Sequence, residues 1–481
     1  MASDSSPLVK LGLRARDLAV LPLLAGLLAL NLWRLAEVPT NVTGDEVTFL
    51  NDILKIAHSP DQWNPMTLMG DGSKAGIALY YLYVVMNFFT EDQAILGMRV
   101  ASVILGIVTL GVFYVYLRSK VSRLPALCAV LLLGTNYVYL NLSRATWMAD
   151  GKGLGLIFGL LSFWLVERGT SRGKLALTAL GGVAGGITLY SYFGTVLLPV
   201  APLLYFVYLA LRRRLSLRGM VIHGATFAAI ALIVFLPNLR SIRQDYDTYT
   251  LRSRSVYVAT APDAYYREMD AGALVAYQIG YTLRGFLLFD PAVTGTGPEN
   301  GRYSPVGEAP VDAVTEALFF LAIVGAVFVR RRDLFQPIVA FVIMLVATQM
   351  MTVYPPNYSR GVFLLPFMYL LIAVLLDAGL SARLPRRYTQ AAVVALVIGL
   401  SMFNVRYYFE WGSSPEAAEA RQPAIEYSHV PLWIDAEKKL IAAGDIDLAI
   451  TMDDWQNILR QAGRQAPGGP DRMRLIPRLS C

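Results

Sequence analysis

The sequence predicts an all-α membrane protein with many crossings. Three observations carry that reading. Of 481 residues, 55% are hydrophobic and only 16% are charged, and the mean hydropathy is +0.48. An ordinary soluble domain is far less apolar. Finally, about eleven apolar runs of roughly 17 to 25 residues, the length a helix needs to cross the hydrocarbon, recur along the chain.

The runs fall, in order, at Leu18 to Ala36, Met98 to Leu117, Leu124 to Leu140, Gly151 to Val166, Leu175 to Tyr192, Val196 to Leu211, Met220 to Leu236, Ala313 to Val329, Leu334 to Val353, Val362 to Leu380 and Ala391 to Tyr407. Lys10, Arg14 and Arg16 precede the first run as in a signal peptide, but LWRLAEVPT follows it instead of a small-residue cleavage site. It is expected to stay as an anchor.

Charge orients the crossings. Arg118/Lys120/Arg123, Arg168/Arg172/Lys174, Arg212/Arg213/Arg214/Arg218, Arg330/Arg331/Arg332 and Arg383/Arg386/Arg387 occupy every second connection. Cytoplasmic loops carry such an excess of Lys and Arg, so the amino terminus is expected inside and the carboxyl terminus outside. The same clustering explains the formal charge of +7 without nucleic acid. With only Cys128 and Cys481, neither a disulfide framework nor a thiolate metal site is supported.

This parity puts three long segments, 37–97, 238–312 and 408–481, on the non-cytoplasmic side. In the first, LYYLYVVMNFF (79–89) is too short to span comfortably and reads as an interfacial helix. In the second, TAPDAYYREMDAGALVAYQIGYTLRGFLLF reads as a half-buried helix ahead of an outer loop. The tail reads as a small mixed α/β appendage with a helix in PLWIDAEKKLIAAG, a strand in DIDLAIT and a helix in DDWQNILRQAG. The expected division is therefore a transmembrane unit over 1–407 and an outer appendage over 408–481.

The stretch NVTGDEVTFLND holds adjacent acids, Asp45 and Glu46, just past the first crossing on the outer side. Charge alone allows solvated loop acids, or Asp45 as cap of a helix starting at Glu46. Adjacent residues on a helix diverge by about 100 degrees, so the two side chains do not meet the same atom. Two outer connections poor in positive charge hold Arg144 in LNLSRATW and Arg360 in YPPNYSRG, and Asp71 and Asp150 also face outward. An outer arginine can simply snorkel to lipid headgroups.

At this point the chain resembles membrane glycosyltransferases of the GT-C superfamily, in the branch of the protein O-mannosyltransferases and the lipid A aminoarabinose transferases. GDEV at 44–47 resembles the family's Asp-Glu motif; NPMTLMGDGSKAGIALYYLYVVMNFF resembles the rest of that loop, and LGMRVASVILGIVTLGVFYVYLRSK the second crossing. LNLSRATWMAD, GGITLYSYFGTVLLP and YPPNYSRGVFLLPFMYLLIA resemble later segments in the same order. The resemblance implies a GT-C fold and transfer of a sugar from a polyprenyl phosphate to a glycolipid, glycan or protein acceptor at the outer face of the cell membrane. It implies Asp45 as the catalytic acid, Glu46 in a positioning role and Arg144 at the donor phosphate, with Arg360, Asp150 and Asp71 as further candidates. Sugar, lipid length and acceptor stay open.

No metal ligand set is visible, since His58, His223 and His429 are isolated. A divalent ion at Asp45, as in the more distant oligosaccharyl transferases, stays open, but no cofactor is expected. Two other functions share the features: a carrier or flippase for lipid-linked sugars, and a polysaccharide polymerase or ligase. Acids gathered in outer loops instead of at the midplane argue against the carrier. The Asp-Glu pair directly after the first crossing argues against the polymerase.

Overall fold

The computed structural model describes residues 15–442 apart from 61–63, 67, 70–73, 245, 262–263, 287, 289, 291–299, 306–307, 329–330, 381–385 and 422–429. The strand expected in DIDLAIT and the helix in DDWQNILRQAG lie outside the described residues, as does Asp71.

Each expected apolar run contains helix. The first is α1 (Val20–Leu32). The outer segment after it forms α2 (Gly44–His58), a two-residue hairpin pairing Leu68–Met69 with Lys74–Ala75, and α3 (Gly76–Met86). Then come α4 (Ala94–Leu117), α5 (Arg123–Thr135), α6 (Tyr137–Arg144), α7 (Lys152–Ser171) and α8 (Leu175–Leu189). They are followed by α9 (Val200–Leu211), α10 (Leu217–Gln244), α11 (Tyr246–Val256) and α12 (Ala271–Phe286). The last third holds α13 (Ala313–Phe328), α14 (Phe335–Leu345), α15 (Leu365–Leu380), α16 (Arg386–Gly412), α17 (Pro415–Ala420) and α18 (Val430–Ala442).

Among the described residues, three helices are long and apolar enough to cross a membrane: α4, α10 and α16. The pair α5 and α6, bent by 62°, makes a fourth. Seven more apolar helices are shorter. The bend is built by Asn136, whose side chain accepts from the Tyr139 N–H at 2.9 Å and so starts a new helix inside one apolar run.

Burial orders the bundle. The apolar stretch of α4 is 61% buried, against 17% for α10 and 22% for α16, so α4 is central and the other two peripheral. The outer helices expose Leu232, Ile233, Met402 and Phe403. Apolar side chains turned outward in this way suit contact with lipid. Between α8 and α10 the backbones come close. A Cβ at Gly182 or Gly186 would lie 2.8 Å from the carbonyl oxygens of Phe227 and Ala231, so only glycine fits.

Polar contacts gather at the two ends. At one end Lys120 Nζ reaches both oxygens of Glu167, at 2.7 and 2.6 Å, and the carbonyl of Asp333 at 2.7 Å. Arg331 bonds the Lys120 carbonyl, and Ser122 bonds Asp377 at 2.5 Å. These residues come from three of the basic connections and from the end of α15, so alternate connections do converge on one end.

The opposite end joins the segments expected outside. Helix α16 runs unbroken past Tyr407 to Gly412, whose carbonyl accepts from the Thr40 N–H at 3.2 Å. Helix α18 buries Val430, Trp433, Ile434, Glu437 and Ile441, one stripe at helical spacing. That stripe lies on α2: Trp433 Nε1 donates to Asn51 Oδ1 at 2.8 Å, and Asn51 Nδ2 donates to Glu437 Oε1 at 2.8 Å. The described part of the tail is thus packed against the helix that begins with the acid pair. Val430, Trp433 and Ile434 join the core of the bundle.

Glu437→Ala removes the acceptor of a buried amide, which costs about 1 to 3 kcal/mol. We expect a lower thermal unfolding midpoint in detergent for this variant. An unchanged midpoint would mean that α18 does not dock on α2.

Candidate active site

The acid pair is fixed by its backbone first. Thr43, not Asp45, caps α2: its Oγ1 accepts from the Glu46 N–H at 3.2 Å, while Glu46 Oε2 accepts from the Thr43 N–H at 3.0 Å. This reciprocal pair is a capping box, and the alternative of Asp45 as cap is corrected by it. The Thr-x-x-Glu spacing that signals a capping box stands in the sequence as TGDE.

Glu46 is fully buried. Arg99, on α4, donates from Nε to Glu46 Oε1 at 2.9 Å and from Nη2 to Oε2 at 3.3 Å. The same guanidinium also donates to the carbonyls of Pro39 at 3.0 Å and Asn41 at 2.8 Å. Burial alone would raise the Glu46 carboxyl, but the Arg99 charge and hydrogen bonds, with the Thr43 N–H, outweigh it and hold the pKa below the ordinary value.

Asp45 points elsewhere. It is half-buried, and Trp147 Nε1 donates to its Oδ2 at 3.1 Å. Trp147 packs edge-on against Tyr303, ring centroids 4.8 Å apart. Beside Asp45 lies Asp150, close enough for its charge to act on the Asp150 carboxyl. Asp150 is bonded by the Lys152 backbone N–H at 3.1 Å and by Lys152 Nζ, and that ammonium sits 4.3 Å over the Tyr192 ring. Burial pushes the Asp150 carboxyl up, Lys152 opposes the shift, and Asp45 adds to it. The turn depends on Gly151, which has φ +109° and leaves only 3.1 Å between a would-be Cβ and the Ser191 carbonyl.

The two outer arginines are not presented to this cluster. Arg144 is fully buried; Nη1 donates to the carbonyls of Leu30 at 3.0 Å and Asn31 at 2.6 Å, and Nη2 to that of Val38 at 2.7 Å. Its terminal nitrogens tie the end of α1 to the connection that follows it. Arg360 is likewise buried and donates from Nη1 to the Val353 carbonyl at 3.0 Å. Asp150 pairs with Lys152, and not with Arg144.

Trp147, Lys152 and Arg421 are not singled out by the sequence analysis. Lys152 had a visible signal, a lone cation opening an apolar run. Arg421 had none. It enters from the tail, fully buried, and donates from Nη2 to Asn141 Oδ1 at 2.7 Å. Burial pushes its guanidinium down to about 10; Tyr408 and Glu46 resist this and Arg99 adds to it. Among the described residues, no three His, Cys, Asp or Glu side chains form a set able to hold a metal ion.

Glu46→Gln leaves Arg99 buried without its counter-charge, a change that costs about 3 to 5 kcal/mol. Because the folded pKa of Glu46 lies below the ordinary 4.5, its stabilisation is present in full above that value and is lost as pH falls through the folded pKa. The gap in unfolding midpoint between wild type and Glu46→Gln should therefore be wide at neutral pH and narrow in acid. A gap independent of pH would mean that the pair is not ionic.

Residues 74–240 match the family model of the dolichyl-phosphate-mannose-protein mannosyltransferases. That stretch holds Arg99, Trp147, Asp150 and Lys152 and begins after Asp45 and Glu46. No curated protein matches the chain by sequence. Among solved structures, ArnT from Cupriavidus metallidurans bound to undecaprenyl phosphate is 13% identical, with TM-score 0.50, covering 89% of this chain and 78% of that one. The Archaeoglobus fulgidus oligosaccharyltransferase in its apo form is 12% identical, with TM-score 0.54, covering 95% of this chain and 61% of that one. AglB from the same organism, in complex with an inhibitory peptide and a dolichol-phosphate, is 14% identical with TM-score 0.52, over 86% of this chain and 56% of that one. This chain thus spans little more than half the length of the archaeal enzymes. The likeness to both architectures shows that the chain shares their fold.

Proposed function

We propose that the protein moves a sugar from a polyprenyl-phosphate donor to an acceptor hydroxyl at the outer face of the cell membrane, with inversion at the anomeric carbon and Asp45 as general base. The observation that carries this is the division between the adjacent acids. Glu46 is closed off in an ion pair, while Asp45, half-buried, holds one hydrogen bond from Trp147 and keeps carboxylate lone pairs to accept a proton. The bundle is read with eleven crossings, amino terminus in the cytoplasm and carboxyl terminus outside. The acid pair then meets both a lipid-linked donor and an acceptor from the outer side.

In this reaction Asp45 takes the acceptor hydroxyl proton as its oxygen attacks the anomeric carbon. The bond from that carbon to the phosphate oxygen breaks, and the polyprenyl phosphate departs with the electron pair from the opposite face. A cation is needed where that charge appears. With the Arg144 terminal nitrogens on three backbone carbonyls, we assign the role to Lys152, the ammonium beside Asp150. Its pairing with Asp150 sets it in place before the donor arrives. Glu46 positions Asp45 through the capping box, and Arg99 fixes Glu46. Asp150, Lys152 and Trp147 are our assignment for the donor side, and the tail through α18 counts as part of the catalytic unit. No step requires a metal. The acceptor is a glycolipid, glycan or protein hydroxyl, and the transferred group a hexose or pentose.

The carrier reading is weakened by where the ionisable groups stand. They gather at the two ends of the bundle, whereas transport sites sit near the midplane.

Asp45→Asn keeps the shape and cannot take the proton. Turnover by purified protein on a panel of labelled polyprenyl-phosphate sugars should fall by roughly a hundredfold or more, with donor binding retained. Near-normal turnover in Asp45→Asn removes the mechanism, and no turnover by wild type on any donor favours a carrier. Lys152→Gln should weaken donor affinity by about ten- to a hundredfold, the loss of one charge-assisted hydrogen bond. Unchanged affinity would leave Lys152 as a structural partner of Asp150.

A further inference from the structure

Helix α7 runs from the Asp45 cluster to the other end of the bundle. Lys152 opens it beside Asp150, and Arg168, in its last turn, stands about 24 Å further along the axis. Gly153 faces Leu105 of α4, and Val166 faces Gly181 of α8. Between these two contacts α7 presents a third face, where Leu154, Phe158, Leu161 and Leu165 recur at helical spacing and are only partly buried. Arg168 and Arg172 continue the same stripe. The helices on either side expose Ile104 and Val108 of α4 and Leu180 and Val183 of α8. An apolar track therefore leads to a pair of cations.

The polar end of this track offers donors. Trp164 Nε1 and Arg168 Nη1 are buried without a hydrogen-bond partner among the described residues. They are neighbours: the Arg168 guanidinium lies 4.7 Å from the centre of the Trp164 ring, and Trp164 is only 8% exposed. The acid next in sequence, Glu167, turns to Lys120, whose Nζ holds both its oxygens. The charge that acts on Arg168 is instead a second cation, Arg172. A buried donor without an acceptor is costly, and hydrocarbon supplies none. An arginine that only snorkels carries its nitrogens out to the headgroups, whereas this one keeps Nη1 enclosed over an indole. The helix end does not forbid an anion, because its carbonyls at Arg168, Gly169 and Thr170 already accept from the N–H groups of Arg172, Lys174 and Gly173.

We propose that Trp164 and Arg168, with Arg172 beside them, form a site for the headgroup of an anionic phospholipid whose acyl chain lies along Leu165, Leu161 and Phe158. A phosphodiester brings both the acceptor oxygens and the negative charge, and the planar fork of an arginine matches two of those oxygens. A free inorganic anion would leave the apolar track uncovered, and a zwitterionic lipid would set a further cation among cations. Arg168 is half-buried, so its guanidinium meets a headgroup at the surface without the bundle opening. With the amino terminus read as cytoplasmic, the site lies in the cytoplasmic leaflet, where basic pockets between helices take anionic headgroups. The proposal does not rest on the transferase reading, because the track and the unmet donors exist whatever Asp45 does.

The test uses the full-length protein in detergent at constant ionic strength. Unfolding midpoint and equilibrium binding are measured with phosphatidylglycerol, phosphatidylcholine and inorganic phosphate. We expect the wild-type midpoint to rise with phosphatidylglycerol, to rise less with phosphatidylcholine and to stay put with inorganic phosphate. Arg168→Gln should bind phosphatidylglycerol at least tenfold more weakly. Trp164→Phe keeps a ring and deletes the N–H, and should bind about three- to tenfold more weakly. It decides the matter if Arg168→Gln does not fold. Lys174→Gln removes an exposed charge from the same connection and should bind like wild type. Unchanged affinity in Arg168→Gln or Trp164→Phe overturns the proposal, and so does a loss in Lys174→Gln as large as that in Arg168→Gln, which would mean that bulk charge is being read. The absence of any phosphatidylglycerol-dependent shift in wild type, an equal response to phosphatidylcholine, or a shift that survives in Arg168→Gln and disappears in Lys152→Gln overturns it as well.

Discussion

The outer end of the molecule is organised by one buried ion pair, Arg99 with Glu46. Arg99 stands on the central helix α4 and spends its remaining donors on the carbonyls of residues 35, 39 and 41. One guanidinium therefore holds the connection after α1 against α4 and fixes the first turn of α2. Such a pair contributes modestly to net stability because both charges must be desolvated. What it provides is position: with the connection and the first turn fixed, Asp45 has one direction left to face.

The rest of the fold repeats this economy at its two ends. Apolar side chains fill the middle and coat the outside, and two buried ion pairs join one helix end to another. Lys120 with Glu167 does at one end what Arg99 with Glu46 does at the other. Long-range polar contacts between helix ends select one arrangement among apolar helices that could slide past each other, since lipid offers little hydrophobic drive for helix packing. The tail belongs to the same scheme. Through Trp433, Asn51 and Glu437 it holds the second half of α2, while Arg99 holds the first.

Much of this was legible in the sequence, for reasons that differ by residue. The apolar runs could be read because hydropathy and length are local properties, and every run contains helix. The capping box was equally local, since TGDE carries both partners three residues apart, yet the two acids drew notice first. An arginine alone in an outer connection reads as open to an anion, and the carbonyls that Arg144 and Arg360 reach could not be seen in the sequence because free carbonyls at helix ends are equally good acceptors. Arg421 could not have been found. Its partner Asn141 lies 280 residues away, and nothing near position 421 distinguishes it from any other charge on a polar tail.

The contrast between Asp45 and Glu46 shows why adjacency in sequence says little about role. Glu46 receives hydrogen bonds from a guanidinium, a backbone N–H and the Thr146 hydroxyl. Each favours the ionised form, so its pKa falls and taking up a proton becomes unfavourable. A group held that way cannot serve as a base and is suited to hold something else still. Asp45, one residue earlier, is half-buried and accepts from a tryptophan N–H, with the Asp150 carboxylate nearby. The divergence of about 100 degrees between neighbouring side chains thus separates an acid closed off in an ion pair from one that accepts from the Trp147 N–H.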